Sequence, residues 1–282
     1  MKKIALINDL SGLGKCSLTA AIPVISVMGI QACPLPTAVL SAQTGFPGYI
    51  YDDYTEKMDQ FTAHWKQIGM EFDGIYSGFL GNAAQIRKVQ NFLDQFQTKD
   101  NLYLADTIMG DHGKAFGMYK EEFLREMQEL AKRADVLTPN LTELCLLAEA
   151  DYESLTAHRQ EQDYIERIEE VCQNLIWKAK RAQTVVVTGI MTSGEEKEYI
   201  GNLAVSSREK CYVESPYTGV SFSGTGDLFA SVLCGSLVNG EPMRETIERA
   251  VFFLQDAIEE ATQEKIPRDH GVNFEPYLSR LT

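Results

Sequence analysis

Apolar residues fall along this chain in two alternating rhythms. Short, nearly unbroken apolar runs recur in KIALIND, CPLPTAVLS, DGIYSGF, NLYLADTIM, DVLTPN and TVVVTGI. Strands covered on both faces carry such runs, because neither set of alternate side chains meets water. Between them, AAQIRKVQNFLDQF, EEFLREMQELAKRA and DYIERIEEVCQNLIWKAK place apolar residues three and four apart, which predicts amphipathic helices. Two more helices are predicted over DLFASVLCGSLVNG and MRETIERAVFFLQDAIEEATQ. Strands alternating with helices predict an α/β fold, a mostly parallel sheet with helices on both faces. No repeat, low-complexity stretch or linker divides the chain, so one domain over residues 1–282 is expected.

Two segments break the alternation. Residues 42–59, AQTGFPGYIYDDYTEKMD, mix Gly, Pro and aromatics without a clear period, and residues 191–215 read as a β-hairpin running off the main sheet. Long irregular segments in a compact domain commonly form lids or binding loops, so a small β flap is expected. Trp65, Trp177 and the aromatics of VFFLQ are expected in the core.

Composition narrows the partners. A net charge of −14 repels a phosphate backbone and argues against nucleic acid. The six cysteines show no paired spacing, which suits buried free thiols in a reducing compartment. The four histidines are dispersed, so no zinc constellation is visible. MKKIALIND reads as a strand rather than a leader, and no apolar run approaches a membrane span, so a cytoplasmic location is expected.

In open α/β sheets the ligand crevice lies beyond the carboxyl ends of the strands. There the chain reads NDLSGLGKCS, with a helix starting near Lys15, then SGFLG, DTIMGD, TPNLTE, VTG and finally SGTGD. Asp9, Asp106, Asp111, Asn140, Glu143 and Asp227 would converge on one edge. Each has a plainer reading. SGLG fits neither a dinucleotide fingerprint nor a Walker loop. Asn140 and Glu143 have the spacing of a capping box. Asp227 could merely complement the positive end of a helix. Yet so many polar strand ends exceed what capping needs, and an acidic crevice calls for a metal if it is to accept phosphates.

SGTGDLFAS resembles the GTGD anion-hole signature of the ribokinase superfamily. Together with SAQTGF, SGFLG, DTIMGD and TPNLTELCLL in this order, it makes the chain similar to the pyridoxal (vitamin B6) kinases of that superfamily. The resemblance runs from residue 4 to about residue 255. It implies a ribokinase-like three-layer αβα sandwich and transfer of phosphate from ATP to a 5′-hydroxymethyl group. It implies Asp227 as the base and the backbone N–H groups of Gly224, Thr225 and Gly226 as the cradle of the moving phosphoryl group. It further implies Mg²⁺ organised by Asp106 and Glu143, Asp111 near the phosphates, and an ATP site lined by Thr138, Asn140 and Thr188. Asp9, Thr44 and Tyr119 fall on positions that contact the vitamin, and residues 42–59 on a water-excluding flap. A monovalent cation and a homodimer complete what the family implies.

Three residues depart from that family. Asp9 stands where serine is common, and DLSGLG is closer to the hydroxymethylpyrimidine kinases of thiamin synthesis. Thr107 replaces a proline, and Gln43 replaces a histidine near the substrate ring. Hydroxymethylpyrimidine kinase activity and a nucleotide-binding homologue without turnover therefore stay open as alternatives.

Overall fold

The computed structural model describes residues 1–194 and 197–282. Glu195 and Glu196, inside the predicted hairpin, lie outside the described residues. The chain opens with β1 (Lys3–Ser11), where Ile4, Ala5, Leu6 and Ile7 are all fully buried, as a run apolar on both faces requires. After it come α1 (Ser17–Val27), β2 (Gln31–Leu40), β3 (Tyr51–Asp53), α2 (Thr55–Gln67), β4 (Gly74–Ser77), α3 (Ala83–Phe96) and β5 (Leu102–Ala105). The middle of the chain forms β6 (Gly110–Asp111), β7 (Lys114–Ala115), α4 (Glu121–Ala131), β8 (Val136–Leu137), α5 (Leu141–Ala148), α6 (Tyr152–Thr156) and α7 (Tyr164–Lys178). Then β9 (Thr184–Ser193), β10 (Glu198–Val205), β11 (Lys210–Pro216), α8 (Thr225–Asn239) and α9 (Met243–Gln263) complete the order.

These elements gather into two compact units, residues 1–103 with 218–282, and residues 104–217. In the first, β4, β1 and β2 are parallel neighbours and β3 adds antiparallel to β2. Helix α8 packs on both α1 and α9, and α2 packs on α3. The register of β1 on β2 slips between Asn8 and Leu10. A bulge there re-aims side chains at the end of a strand, the place where this fold presents its chemistry. In the second unit, residues of β5 pair in parallel with β8, and β8 with β9, while β10 and β11 follow antiparallel. Strands β6 and β7 form a separate two-stranded hairpin. The architecture is α/β with mostly parallel pairing, as the alternating runs predict.

Several local expectations need correction. Helix α1 starts at Ser17 rather than at Lys15, because Lys15 and Ser17 both have φ 51° and form a left-handed turn around the N-cap Cys16. The segment 42–59 is not irregular throughout, since it holds β3 and the first turn of α2. Its true loop is pinned at the base, where the Ser41 amide donates to the Ile50 carbonyl (3.0 Å) and the Ile50 amide to Ser41 Oγ (2.8 Å). The described residues of 191–215 do not run off the sheet, because β10 pairs with β9 along most of its length. Trp177 is 90% exposed, and within VFFLQ Phe252 is exposed while Phe253 is buried.

Trp65 is half-buried at the edge of an aromatic cluster carried by α2, α3 and the segment between α2 and β4. Phe92, 1% exposed, sits at its centre, with ring centroids 4.6 Å from Phe96, 5.9 Å from Phe72 and 6.1 Å from Trp65. Truncating such a ring removes transfer free energy and leaves a cavity. Phe92→Ala is expected to lower stability by about 3–5 kcal/mol, read as a lower urea midpoint at unchanged slope. A loss under about 1 kcal/mol would show that the cluster collapses around the gap.

Candidate active site

The GTGD turn is shaped by its own chain before any ligand is considered. Gly224 is the N-cap of α8 with φ 84°, a region costly for residues with a Cβ. A Cβ there would also lie 2.3 Å from the carbonyl oxygen of Lys15. Gly226 differs, because a Cβ on it would meet open space. Thr225 Oγ1 donates back to the Phe222 carbonyl (3.0 Å), which leaves the first amides of a 15-residue helix as an anion-binding end.

Asp227 stands in that first turn, 8% exposed. Asn8 Nδ2 donates to its Oδ1 at 3.1 Å, and the Ser17 amide donates to the carboxylate as well. Burial outweighs these bonds and, with the nearby charge of Asp9, pushes its pKa up to about 6. Asp9 lies under the same turn, 5% exposed, with Oδ1 accepting from Ser17 Oγ (2.6 Å) and Oδ2 from Ser11 Oγ (2.7 Å). Its pKa is also raised by burial, against the pull of both hydroxyls. Cys16 between them is held as a neutral thiol, raised by burial and by the charges of Asp227 and Asp9.

Asn8, which the sequence did not single out, joins this cluster. Its Oδ1 accepts from the amides of Asp9 (3.0 Å) and Phe79 (2.8 Å), while its Nδ2 reaches Asp227. The glycine of SGFLG serves it, for a Cβ on Gly78 would come within 2.3 Å of Asn8 Nδ2. The one sequence signal was a polar residue directly after the apolar run of β1, which also fits an ordinary strand end. Thr44 is exposed in the pinned loop. Its neighbour Gln43 is buried, donating to the Asp269 carbonyl (3.1 Å) and accepting from the Gly45 amide (2.8 Å). Gln43 thus anchors the loop to the turn at 268–270.

In the second unit, Glu143 completes the capping box foreseen as its plainer role. Asn140 Oδ1 accepts from the Glu143 amide (3.0 Å), and Glu143 Oε2 accepts from the Asn140 amide (2.9 Å). Its other oxygen accepts from the Met109 amide (3.1 Å), which ties the strand-end DTIMGD segment to α5. Burial, and then the charge of Asp106, raise its pKa well above the usual carboxylate range. Asp106 is 8% exposed and accepts from Thr138 Oγ1 at 3.1 Å. Asn140 Nδ2 donates to the Gly110 carbonyl (3.0 Å), and the Thr188 amide to the Pro139 carbonyl (2.9 Å), so Thr138, Asn140 and Thr188 share one strand-end cluster. Asp111 is exposed on the small hairpin and accepts from the His112 amide (2.8 Å). Tyr119 is buried, its ring stacked on Phe123 at 3.7 Å.

Among the described residues no three His, Cys, Asp or Glu gather as a metal cluster. Magnesium needs only one or two carboxylates when water and phosphate fill its other positions. Two buried carboxylates, one of which raises the pKa of the other, are relieved by a proton or a cation. Asp106 and Glu143 therefore fit Mg²⁺, with Glu143 committed on both oxygens to backbone amides.

A family model described as phosphomethylpyrimidine kinase matches residues 16–272. Among solved structures, a Bacteroides thetaiotaomicron protein assigned to the phosphomethylpyrimidine kinases, crystallised with pyridoxal, is 37% identical with a TM-score of 0.90, covering 99% of this chain and 95% of that one. The pyridoxal kinase of Lactobacillus plantarum is 26% identical with a TM-score of 0.87, covering 100% and 96%. A curated relative, pyridoxal kinase PdxY of Pasteurella multocida, is 28% identical over 68% of this chain, and the match spans 64% of its own length. No helix is long and apolar enough to cross a membrane among the described residues.

The buried carboxylate of Asp227 carries a stability consequence. The pKa of Asp227 rises from 3.8 to about 6 on folding, so the folded state favours its protonated form. That advantage is complete below the unfolded value and is lost as pH rises through the folded one. A neutral amide avoids the loss. Asp227→Asn is expected to be more stable than the parent near neutral pH by on the order of 2–3 kcal/mol. The gap should open across the acid range bounded by those two values, as read by denaturation at a series of pH values. Equal pH dependence in both proteins would mean that burial does not strain this carboxylate.

Proposed function

The chain belongs to the phosphomethylpyrimidine kinase family, and we propose that it is a kinase for the 5′-hydroxymethyl group of pyridoxal, pyridoxine and pyridoxamine. The observation that carries the reading is Asp227, a carboxylate at the head of α8 beside free helix amides, with a pKa pushed up to about 6. A base works best when its pKa lies near the working pH, where it is ionised yet still basic. In the step, Asp227 takes the proton of the substrate hydroxyl. That oxygen bonds to the γ-phosphorus of ATP, the bond to the β-phosphate oxygen breaks, and ADP leaves with the electron pair. The amides of Gly224, Thr225 and Gly226 hold the transferring phosphoryl group, whose chemistry asks for positioning and charge stabilisation.

Thr138, Asn140 and Thr188 would line the nucleotide site, with Asp111 near the phosphates, and Asp106 and Glu143 would hold Mg²⁺. Bound there, the metal supplies charge neutralisation between acidic residues and a nucleotide tetra-anion. Asp9, Thr44 and Tyr119 would face the vitamin. The whole chain is read as one kinase domain, with a homodimer and a monovalent cation as the family resemblance implies. The free cysteines suit a reducing, cytoplasmic setting. The family description and the DLSGLG opening favour one second reading, hydroxymethylpyrimidine as the acceptor.

An assay with ATP and Mg²⁺ that compares the three B6 vitamers with hydroxymethylpyrimidine decides between them. Turnover of a vitamer is the expected result, and preference for the pyrimidine would overturn it. Asp227→Asn should lower kcat by about 10²- to 10⁴-fold while leaving ATP binding intact. Full activity would remove Asp227 as the base.

Glu143→Gln removes the charge and, with one acceptor oxygen, can keep the capping-box bond from the Asn140 amide while giving up the bond from the Met109 amide. Its activity curve against Mg²⁺ at fixed ATP is expected to shift to higher metal concentration. An unshifted curve would confine Glu143 to its capping bonds.

A further inference from the structure

Ser17 touches both buried carboxylates of the first unit. Its amide donates to Asp227 and its hydroxyl donates to Asp9 Oδ1 at 2.6 Å. It does so at φ 51°, a left-handed conformation that a serine adopts at a cost and that persists only where surroundings impose it. The surroundings here are the turn itself, since the Lys15 carbonyl packs against Gly224 at the head of α8. Ser11 adds a second hydroxyl on the far oxygen of Asp9 (2.7 Å). Hydroxyl donors favour the ionised carboxylate.

We propose that Ser17 is a positioning residue for phosphoryl transfer: it fixes Asp227 through its amide and keeps Asp9 charged through its hydroxyl, so that Asp9 sets the pH at which Asp227 accepts a proton. This rests on Asp227 being the base.

The groups facing this pair leave Asp9 as the controlling charge. On β1 these are Asn8, which is neutral, and Ser11. The Cys16 thiol before α1 is kept neutral by burial. Tyr51 on β3, which senses Asp9, is pushed up to about 12 and carries no charge near neutrality. The cation in the same turn, Lys15, is committed elsewhere, with Nζ on Asn273 Oδ1 (2.8 Å) and Glu275 Oε2 (2.7 Å). An ionised Asp9 disfavours a second negative charge on Asp227, so it makes Asp227 a stronger base. Without the Ser17 hydroxyl, Asp9 would hold its proton to higher pH. A neutral Asp9 would then let Asp227 ionise more easily.

The test is the acid limb of the kcat/KM profile, measured with pyridoxal and Mg²⁺-ATP. Asp9→Asn is expected to move that limb to lower pH by about half a unit or more. Ser17→Ala and Ser11→Ala should move it the same way by less, with KM for ATP unchanged. Titration of the Asp227 carboxyl by ¹³C NMR in the free protein reads the same shift without turnover, which covers any variant that binds substrate poorly. Ser11→Ala, which leaves the left-handed turn untouched, covers a Ser17 variant that folds poorly. If Asp227→Asn kept full activity, the reading of the base itself would fail. If Asp227→Asn is inactive but the limb stays fixed or moves upward in these variants, the coupling through Ser17 is wrong and the base stands.

Discussion

The first unit depends on one close approach of backbone to backbone. The Lys15 carbonyl occupies the space that a side chain on residue 224 would need, 2.3 Å from the Cβ position. Gly224 thereby lets the first turn lie directly on the head of α8. From that contact follow the amide of Ser17 on Asp227, the reach of Asn8 to the same carboxylate, and the enclosure of Asp9. Gly271 repeats the device, since a Cβ on it would lie 2.7 Å from the Gly14 carbonyl and 3.2 Å from the Ser223 carbonyl. The Ser223 amide also donates to the Arg268 carbonyl at 3.1 Å. Three segments distant in sequence thus share one knot of main chain. Side chains hung on such a knot are held by backbone stiffness rather than by packing alone.

Both units place carboxylates where burial opposes their charge. Asp227 and Glu143 are each raised first by burial and further by a neighbouring aspartate. A chain selected for stability alone would put neutral groups at these positions. Glu143 combines two loads, because Oε2 finishes the capping box of α5 while Oε1 accepts from the Met109 amide. Its charge cannot be removed by an amide of the same shape without giving up one of these two bonds.

Much of this was legible in the sequence, and the exceptions have physical causes. The stretch MRETIERAVFFLQDAIEEATQ is α9 residue for residue, since its apolar stripe keeps one period over 21 residues. The GTGD turn was legible because its glycines sit directly before a long apolar helix. Helix α2 was hidden, as its buried face is Thr55, Met58 and Thr62, spaced correctly but two-thirds polar. Trp177 misled because α7 buries Tyr164, Ile168, Cys172 and Leu175, and the indole falls off that stripe. Asn8 was invisible for a different reason. Its partner lies 219 residues away, and a lone Asn inside a strand has no periodicity to betray it.

The first unit is discontinuous in sequence, residues 1–103 closing with 218–282 around an inserted continuous unit. On a translating ribosome the glycine-rich turn emerges early and then waits. Gly224, Arg268 and Gly271, which complete its seat, are made only after all of residues 104–217. During that interval Asp9 lacks the enclosure that Gly224 and Gly271 give its turn, and the inserted unit has the opportunity to fold first. The seat of Asp227 is therefore completed among the last features of the chain to be made.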